Sequence, residues 1–143
     1  MSKGFTLIEL MSAMVIISIL AALIYPSYME YIIRTKRSDG QTALIDLANR
    51  METYYSEHNS YAGATIGTGN PSDVRSSSET THSWYQLIIK STDTSYNLEA
   101  RPLIKHGFKD QYCQTLTLDS MGNKNITHSH NGSSPSGLAS NCW

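Results

Sequence analysis

The chain has 143 residues, enough for one domain, and its 11 basic and 12 acidic side chains give a net charge of −1. A nearly neutral chain has no global field that would favour nucleic acid or strongly acidic ligands. The mean hydropathy of −0.31 averages two unlike parts. Nearly all of the strong hydrophobicity lies in the first 25 residues, and the remainder is rich in Ser, Thr, Asn and Tyr.

Residues 5–25 form an apolar run of 21 residues whose only charge is Glu9. As a helix this run would be about 31 Å long, which matches the hydrocarbon core of a bilayer. A cleaved secretory signal has a shorter apolar core and a small-residue cleavage site, and Tyr25-Pro26-Ser27-Tyr28 is a poor site of that kind. A plain membrane anchor leaves the charge unexplained. The run therefore predicts a membrane-spanning helix in which Glu9 has a specific use.

Two interpretations of Glu9 are compatible with the sequence. Thr6-Leu7-Ile8-Glu9 has the T-x-x-E spacing of a capping box, and a carboxylate suits a helix N-terminus. Alternatively, Glu9 pairs with a cation in the same apolar layer, such as a freed α-amino group at Phe5 of its own or a neighbouring subunit. A charge at mid-bilayer costs about 2.5–3.5 kcal/mol, so a partner is expected. Both interpretations can hold together.

The segment Gly4-Phe5-Thr6-Leu7-Ile8-Glu9-Leu10 resembles the prepilin peptidase recognition sequence of type IV pilins and pseudopilins. The resemblance implies cleavage after Gly4, N-methylation of the new N-terminal Phe5 and a role for Glu9 in filament assembly. The short leader, residues 1–4, and the mature Phe look like the type IVa branch.

The resemblance also implies a topology. Residues 5–28 would span the inner membrane once, with the N-terminus in the cytoplasm and the head, residues 29–143, outside. Arg34, Lys36 and Arg37 follow the span while only Lys3 precedes it, so the positive-inside rule alone would invert the chain. We give precedence to the prepilin resemblance, and we expect the subunit to move from the inner membrane into an extracellular filament.

The helix is predicted to continue well beyond the span, from about residue 5 to about residue 57. Pro26 predicts a kink or local melting, because it lacks the N–H that a helix interior needs. The family often has Gly where this chain has Ser18, and Asp39-Gly40 is a second candidate for a bend. Apolar residues then recur at spacings of 3, 4 and 3, which predicts one apolar stripe that seats the sheet of the head: Leu44, Leu47, Met51 and Tyr54. A dimerising coiled coil is the weaker alternative, because the repeat is short.

The head is predicted to be an antiparallel sheet of three to four strands packed on this helix, an α+β architecture of the type IV pilin fold. Alternation and turn residues place the strands at 84–90, 95–101 and 114–119, with a short fourth at 124–127. Residues 62–83 are Gly, Ser, Thr and Asn with one Pro, which predicts a long surface loop. A contact role for this loop and a solvated connector both remain open.

Cys113 and Cys142 are either two buried thiols or one disulfide, and an exported head favours the disulfide. The stretch from Tyr96 to Lys124 and the ending Cys142-Trp143 resemble pilins of the PilE-like minor group. In that family the two cysteines bracket the exposed D-region, here residues 114–141. The family usually has Gly after the first cysteine, where this chain has Gln114.

Other constellations give weaker signals. His128 and His130 have chelating spacing but lie in a Ser/Gly/Asn stretch, so no metal site is expected. Residues 105–109, Lys-His-Gly-Phe-Lys, could touch DNA, although a solvated loop explains them better. Asn125 and Asn131 begin N-x-[ST] sequons, which are weak evidence here. We recognise no catalytic motif, and we expect no enzyme activity and no cofactor.

The leading prediction is a structural subunit of a type IVa pilus, a minor rather than a major pilin. Its expected partners are other pilin subunits, the prepilin peptidase, the inner-membrane assembly machinery and membrane lipid before assembly. A type II secretion pseudopilin is the runner-up, and the late cysteine pair argues against it. The third alternative is a binding pilin that takes up DNA or adheres to a surface ligand, for which a basic groove or aromatic platform on the head would speak.

Overall fold

The computed structural model describes residue 4 and residues 6–104, 110–128 and 134–143. The chain divides into two compact units, Met1–Arg34 and Thr35–Trp143. A single long helix, α1, runs over Leu7–His58 and belongs to both units. It ends where Asn59 takes a positive φ of 55°, the left-handed conformation that commonly closes a helix.

After α1 the strands of the head form two sheets. A two-stranded parallel pair is formed by β1, Thr65–Ile66, and β2, Asp73–Arg75. The main sheet is antiparallel with sequential order β3-β4-β5-β6, and it consists of β3 Tyr85–Ser91, β4 Tyr96–Pro102, β5 Thr115–Asp119 and β6 Lys124–Thr127. A last short helix, α2, covers Ala139–Cys142. The predicted α+β architecture and its four main strands are confirmed.

The prediction that residues 62–83 form only a loop is wrong, because β1 and β2 lie within it. Their pairing depends on a local arrangement that periodicity does not reveal. The Asp73 carboxylate accepts hydrogen bonds from the backbone N–H groups of Thr68 and Gly69 at 2.8 and 2.7 Å. These bonds fold the intervening turn back, so that Thr65 meets Asp73 in register.

The core of the head lies between α1 and one face of the main sheet. The register sets Leu87 opposite Ala100 and Leu98 opposite Leu118, and these alternate residues are buried. On the helix the predicted stripe is confirmed for Leu44, Leu47 and Met51, all 0% exposed, whereas Tyr54 is only half-buried. Burying one such side chain contributes about 1.5–3 kcal/mol, so this layer supplies much of the stability of the head.

The buried stripe starts earlier than the apolar pattern indicates, because Arg37 and Gly40 belong to it. The helix is continuous through Gly40, and this glycine serves a close approach. A Cβ atom at Gly40 would lie 3.0 Å from Cδ2 of the Tyr85 ring. Gly40 therefore lets the first strand of the sheet pack directly on the helix backbone.

Tyrosines close the far end of α1. The hydroxyl groups of Tyr61 and Tyr96 both donate to the Glu52 carboxylate, at 3.0 and 2.9 Å. The two rings meet edge to face with their centroids 5.0 Å apart. Burial and Glu52 raise the pKa of both tyrosines above the ordinary value, which keeps the hydroxyl groups protonated as donors.

Candidate functional site: the assembly motif and the stapled head

The N-terminal motif forms a reciprocal capping box. The backbone N–H and the hydroxyl of Thr6 donate to Oε2 of Glu9 at 2.8 and 2.6 Å, and the Glu9 N–H lies 3.4 Å from the Thr6 hydroxyl oxygen. Gly4 is exposed, with no neighbour that a Cβ would meet. Phe5, the predicted methylation site, lies outside the described residues. The structure thus shows the capping interpretation of Glu9, which leaves its charge available to a second partner.

The first half of α1 exposes its apolar side chains. An 18-residue window in this helix has a mean hydropathy of 2.6 and none of it is buried, which makes α1 long and apolar enough to cross a membrane. Ile17, Leu23 and Ile24 are each more than 60% exposed. Soluble proteins rarely leave a continuous apolar patch of this extent uncovered. An apolar surface of this extent is typical of a segment that contacts lipid or another protein surface.

The helix α1 continues through Pro26. Ser18, the departure from the family pattern, donates its hydroxyl to the Met14 carbonyl at 2.7 Å. Such bonding back to residue i−4 competes with the helix ladder and often bends helices. The kink at Pro26 stays a prediction.

The two cysteines are joined. The Cys113–Cys142 bridge has a Cα–Cα distance of 5.7 Å, and the exposed fractions of its residues are 0% and 1%. It attaches α2 to the start of β5. Gln114, which follows the first cysteine, has a positive φ of 55°. This is the conformation that glycine adopts freely, so the backbone of the turn is the one that a glycine at this position would allow. The side-chain amide of Gln114 donates to the Gln111 carbonyl.

A buried polar network lies beside the bridge. Arg37 donates Nε and Nη2 to the two oxygens of Asp110 at 2.8 and 3.0 Å, and both side chains are less than 10% exposed. The Tyr85 hydroxyl donates to the same carboxylate at 3.2 Å. Burial and the negative charge of Asp110 raise the pKa of Tyr85, so it remains a donor. This network was not predicted from the sequence. The available signal was the spacing Asp110-x-x-Cys113, which puts the carboxylate within reach of the Cys113 N–H.

Two pairs of a lysine and a tryptophan lie on the head. Lys36 Nζ is 3.7 Å from the centroid of Trp84, in a groove of about 370 Å³ that also contains Asp39 and His82, whose side chains are 3.1 Å apart. Lys124 Nζ is 5.2 Å from the centroid of Trp143. Such contacts are typical cation–π geometry. Neither pair was predicted from the sequence.

Three weaker sequence signals fall partly or wholly outside the described residues. They are the Lys105–Lys109 segment, the second histidine of the His128/His130 pair and the sequon at Asn131. Asn125, the first residue of the other sequon, is exposed on β6. Among the described residues, no group of three or more His, Cys, Asp or Glu side chains could hold a metal ion.

Two family models cover most of the chain. The prokaryotic N-terminal methylation motif matches residues 1–25. The model described as type IV minor pilin ComP, DNA uptake sequence receptor, matches residues 26–117, more than half of the chain. The chain belongs to this ComP family of type IV minor pilins. The pilin resemblance of the N-terminal motif is thereby confirmed.

Several fimbrial proteins are similar to this pilin. Fimbrial protein EcpC of Eikenella corrodens is 32% identical over 113 residues, which cover 73% of this chain and 74% of the relative. Type IV major fimbrial protein FimA of Dichelobacter nodosus is 36% identical over 102 residues, 71% of this chain and 59% of the relative. Type IV major pilin protein PilA of Myxococcus xanthus is 39% identical over 61 residues, 43% of this chain. The pilin thus spans 28% of the length of PilA and less than two thirds of that of FimA.

The fold has a solved counterpart in the non-core minor pilin PilV of Neisseria meningitidis. The TM-score is 0.53 at 19% identity, and the match covers 73% of this pilin and 95% of PilV. At this identity the likeness shows the fold alone. It agrees with the observed long helix and four-stranded antiparallel sheet.

Proposed function

We propose that this pilin is cleaved after Gly4, methylated on Phe5 and held in the inner membrane by residues 5–28, with its N-terminus in the cytoplasm. The head, residues 29–143, then enters a type IVa pilus as a minor subunit. The observation that carries the proposal is the unburied 18-residue window of mean hydropathy 2.6 in α1, a helix that starts within the matched methylation motif, residues 1–25. A helix of this kind can be covered first by lipid and then by the helices of neighbouring subunits.

Glu9 is proposed to guide assembly. Its hydrogen bonds to Thr6 leave one carboxylate oxygen, Oε1, outside the cap. In a packed filament an uncompensated carboxylate among apolar side chains is costly. Pairing with the Phe5 ammonium of a neighbouring subunit offsets that cost and sets the axial register between subunits.

The test separates the charge of Glu9 from its capping role. Glu9→Gln and Glu9→Leu are expected to insert and to be cleaved, yet to enter pili poorly. Thr6→Val removes the hydroxyl of the cap and keeps the charge, so it serves as the matched control and should enter pili as the wild type does. Membrane and sheared-pilus fractions are compared by immunoblot. Equal entry of Glu9→Leu and wild type would refute the assembly role, and a defect in Thr6→Val as large as that of Glu9→Gln would reduce Glu9 to a cap.

The processing step has its own measurement. Intact mass of the pilin from membranes or sheared pili should show the loss of four residues and the gain of one methyl group. A chain that still begins at Met1, or one cut after Ala22, would contradict the proposed cleavage after Gly4.

We also propose that the head binds DNA, as the description of the family suggests. The Lys124–Trp143 pair supports this, because the exposed Lys124 ammonium can contact a phosphate and lies 5.2 Å from the centroid of the Trp143 ring, which helps to position it. The Trp143 ring is fixed by a hydrogen bond from Nε1 to the Asn125 carbonyl at 2.9 Å. With a net charge of −1 over the whole chain, affinity has to come from such local groups.

DNA binding is tested by fluorescence anisotropy with labelled duplex DNA and full-length pilin in detergent, over a series of salt concentrations. Lys124→Gln should weaken binding uniformly across sequences and lower the salt slope by about 1, as expected for one lost phosphate contact. Lys90→Gln removes the same charge from a lysine paired with Glu99 and serves as the control. Equal losses in the two variants would exclude a contact at Lys124. Normal pilus entry of both variants would keep this result separate from assembly.

A further inference from the structure

One stretch of α1 holds both segments that carry the cysteines. Arg37 and Gln41 are four residues apart, so their side chains lie on the same side of the helix. Arg37 binds the Asp110 carboxylate, whose Oδ1 also accepts the backbone N–H of Cys113 at 3.1 Å. Gln41 donates Nε2 to the carbonyl of Cys142 at 2.7 Å. The helix therefore contacts the chain at both ends of the disulfide.

These contacts can hold the two cysteine-bearing segments on α1 without the disulfide. Arg37 and Asp110 are 7% and 2% exposed, so their ion pair is poorly screened by solvent. Asp110 also accepts the Gln114 N–H at its backbone carbonyl, 2.9 Å away. In the C-terminal tail, the Gly137 N–H donates to the carbonyl of Tyr112, the residue before Cys113, at 2.8 Å. The noncovalent contacts thus position the chain before Cys113 and the chain before Cys142 independently of the sulfur atoms.

We propose that Arg37 and Gln41 form a template that brings the Cys113 and Cys142 thiols together before they are oxidised. In the reduced head, the Asp110 segment and the C-terminal tail would already be docked on α1. A disulfide-containing oxidant then accepts two electrons and two protons in two steps. One protein thiolate attacks the S–S bond of the oxidant, which forms a mixed disulfide and releases one sulfur of the oxidant as a thiolate. The second protein thiolate then attacks the protein sulfur of the mixed disulfide and releases the other sulfur of the oxidant, and the two released thiolates take up the two protons.

The template predicts a high effective concentration of one thiol at the other. Two groups joined only by a flexible segment reach effective concentrations in the millimolar range. The cysteines are 29 residues apart in the sequence, and the docked tail should raise the value well above that range. Arg37 and Gln41 are positioning residues in this step, since neither touches a sulfur atom in the contacts described.

The test equilibrates reduced full-length pilin in detergent with glutathione buffers and measures the fraction of disulfide. Gln41→Ala should lower the effective concentration about 3- to 10-fold, the usual range for one lost hydrogen bond. Gln41→Glu should lower it further, because a carboxylate would face the Cys142 carbonyl. Asn49→Ala, at an exposed position on the same helix, is the control and should leave it unchanged. A value for Gln41→Ala within twofold of the wild type would overturn the template.

A second measurement does not depend on oxidation. In the double variant Cys113→Ser/Cys142→Ser, amide hydrogen exchange should show that the N–H groups of positions 113, 114 and 137 stay protected. Adding Gln41→Ala should release position 137 selectively, while adding Asn49→Ala should not. Loss of protection at all three positions in the double variant itself would mean that the disulfide alone docks the tail, and the proposal would be wrong.

Discussion

At the scale of single residues, the Arg37–Asp110 pair dominates the polar interior of the head. The carboxylate accepts from the guanidinium, the Tyr85 hydroxyl and the Cys113 N–H. Arg37→Met removes the cation and leaves Asp110 as a buried charge without its counterion. Breaking a buried pair in this way costs about 3–5 kcal/mol. We expect a loss of that size in the free energy of unfolding, measured by denaturant titration of the pilin in detergent.

Arg50→Met is the matched control for this prediction. Arg50 pairs with Asp46 on the same helix at 2.8 Å, but both side chains are close to half exposed. Exposed pairs contribute about 0–1 kcal/mol, so Arg50→Met should change stability little. If the two methionine variants lose similar free energy of unfolding, the buried pair contributes no more than an exposed one, and the prediction is wrong.

Glu99 is the residue from which we expect a measurable pH effect. Burial raises the pKa of Glu99, but hydrogen bonds from Lys90 and Arg101 outweigh it, so the pKa lies below the ordinary value of 4.5. A lowered pKa in the folded state stabilises the fold above the ordinary value, and this contribution is lost as the pH falls through the lowered pKa. The free energy of unfolding of wild type should therefore exceed that of Glu99→Gln at pH 7, and the gap should close in acid.

The comparison needs a second glutamine variant, because other carboxylates also titrate in acid. Glu57→Gln changes an exposed glutamate near the end of α1 and should give a difference from wild type that is small at every pH. A gap for Glu99→Gln that stays constant from pH 7 to pH 3 would mean that the stabilisation by Glu99 does not come from its negative charge, and the prediction would be wrong.

At the scale of elements, the contact of α1 with β3 is set by Gly40. Glycine is about 1 kcal/mol less favourable than alanine inside a helix, so its presence in a continuous helix calls for a packing reason. The nearest atom of the Tyr85 ring lies only 3.0 Å from the position that a Cβ would take, and the Tyr85 hydroxyl donates to Asp110. Glycine therefore lowers the intrinsic stability of the helix at this position but allows the sheet to pack close to the helix backbone.

Gly40→Leu is expected to destabilise the head although leucine favours helices. The side chain would overpack the contact with Tyr85, and overpacking typically costs about 1–3 kcal/mol. Asn49→Leu, on the exposed side of the same helix, should be neutral or slightly stabilising. Thermal unfolding followed by near-ultraviolet circular dichroism compares the two, and a stabilised Gly40→Leu would show that the sheet can move away at little cost.

At the scale of the whole molecule, the two units are stabilised by different means. The first half of α1 exposes its apolar side chains within the isolated chain, and in the proposed function lipid or neighbouring subunits cover it. The head has its own core and one covalent bridge. Cys142→Ser should lower the free energy of unfolding of the head by about 2–5 kcal/mol, the usual effect of removing a native disulfide from a small exported domain.

Thiol labelling under denaturing, non-reducing conditions checks the premise of this prediction. In exported wild-type pilin neither cysteine should react, and in Cys142→Ser the remaining thiol of Cys113 should. Because Cys113 is 0% exposed, labelling without denaturant should be slow in the variant. Two reactive thiols in native exported wild type would contradict the bridge outside the cell.

The sequence by itself determined the long helix α1 and the four strands of the main sheet. These elements follow from patterns among near neighbours in the sequence: the apolar run, the 3-4-3 spacing of the stripe, and Leu98 and Ala100 at alternate positions of one strand. Periodicity in the sequence reports such local order directly. The capping box is also local, since Thr6 and Glu9 are three residues apart. For the same reason the four strands of the main sheet were predicted within a residue or two of their observed ends, whereas β1 and β2 were not predicted.

Only the tertiary structure decided which distant residues meet. Arg37 and Asp110 are separated by 73 positions, and Gln41 and Cys142 by 101. A charged residue and a glycine in the buried stripe look like interruptions of an apolar pattern, because their partners come from another part of the chain. Such contacts follow from the packing of α1 on the sheet, in which burial makes an ion pair or a close backbone approach worthwhile. Local patterns carry no record of that packing.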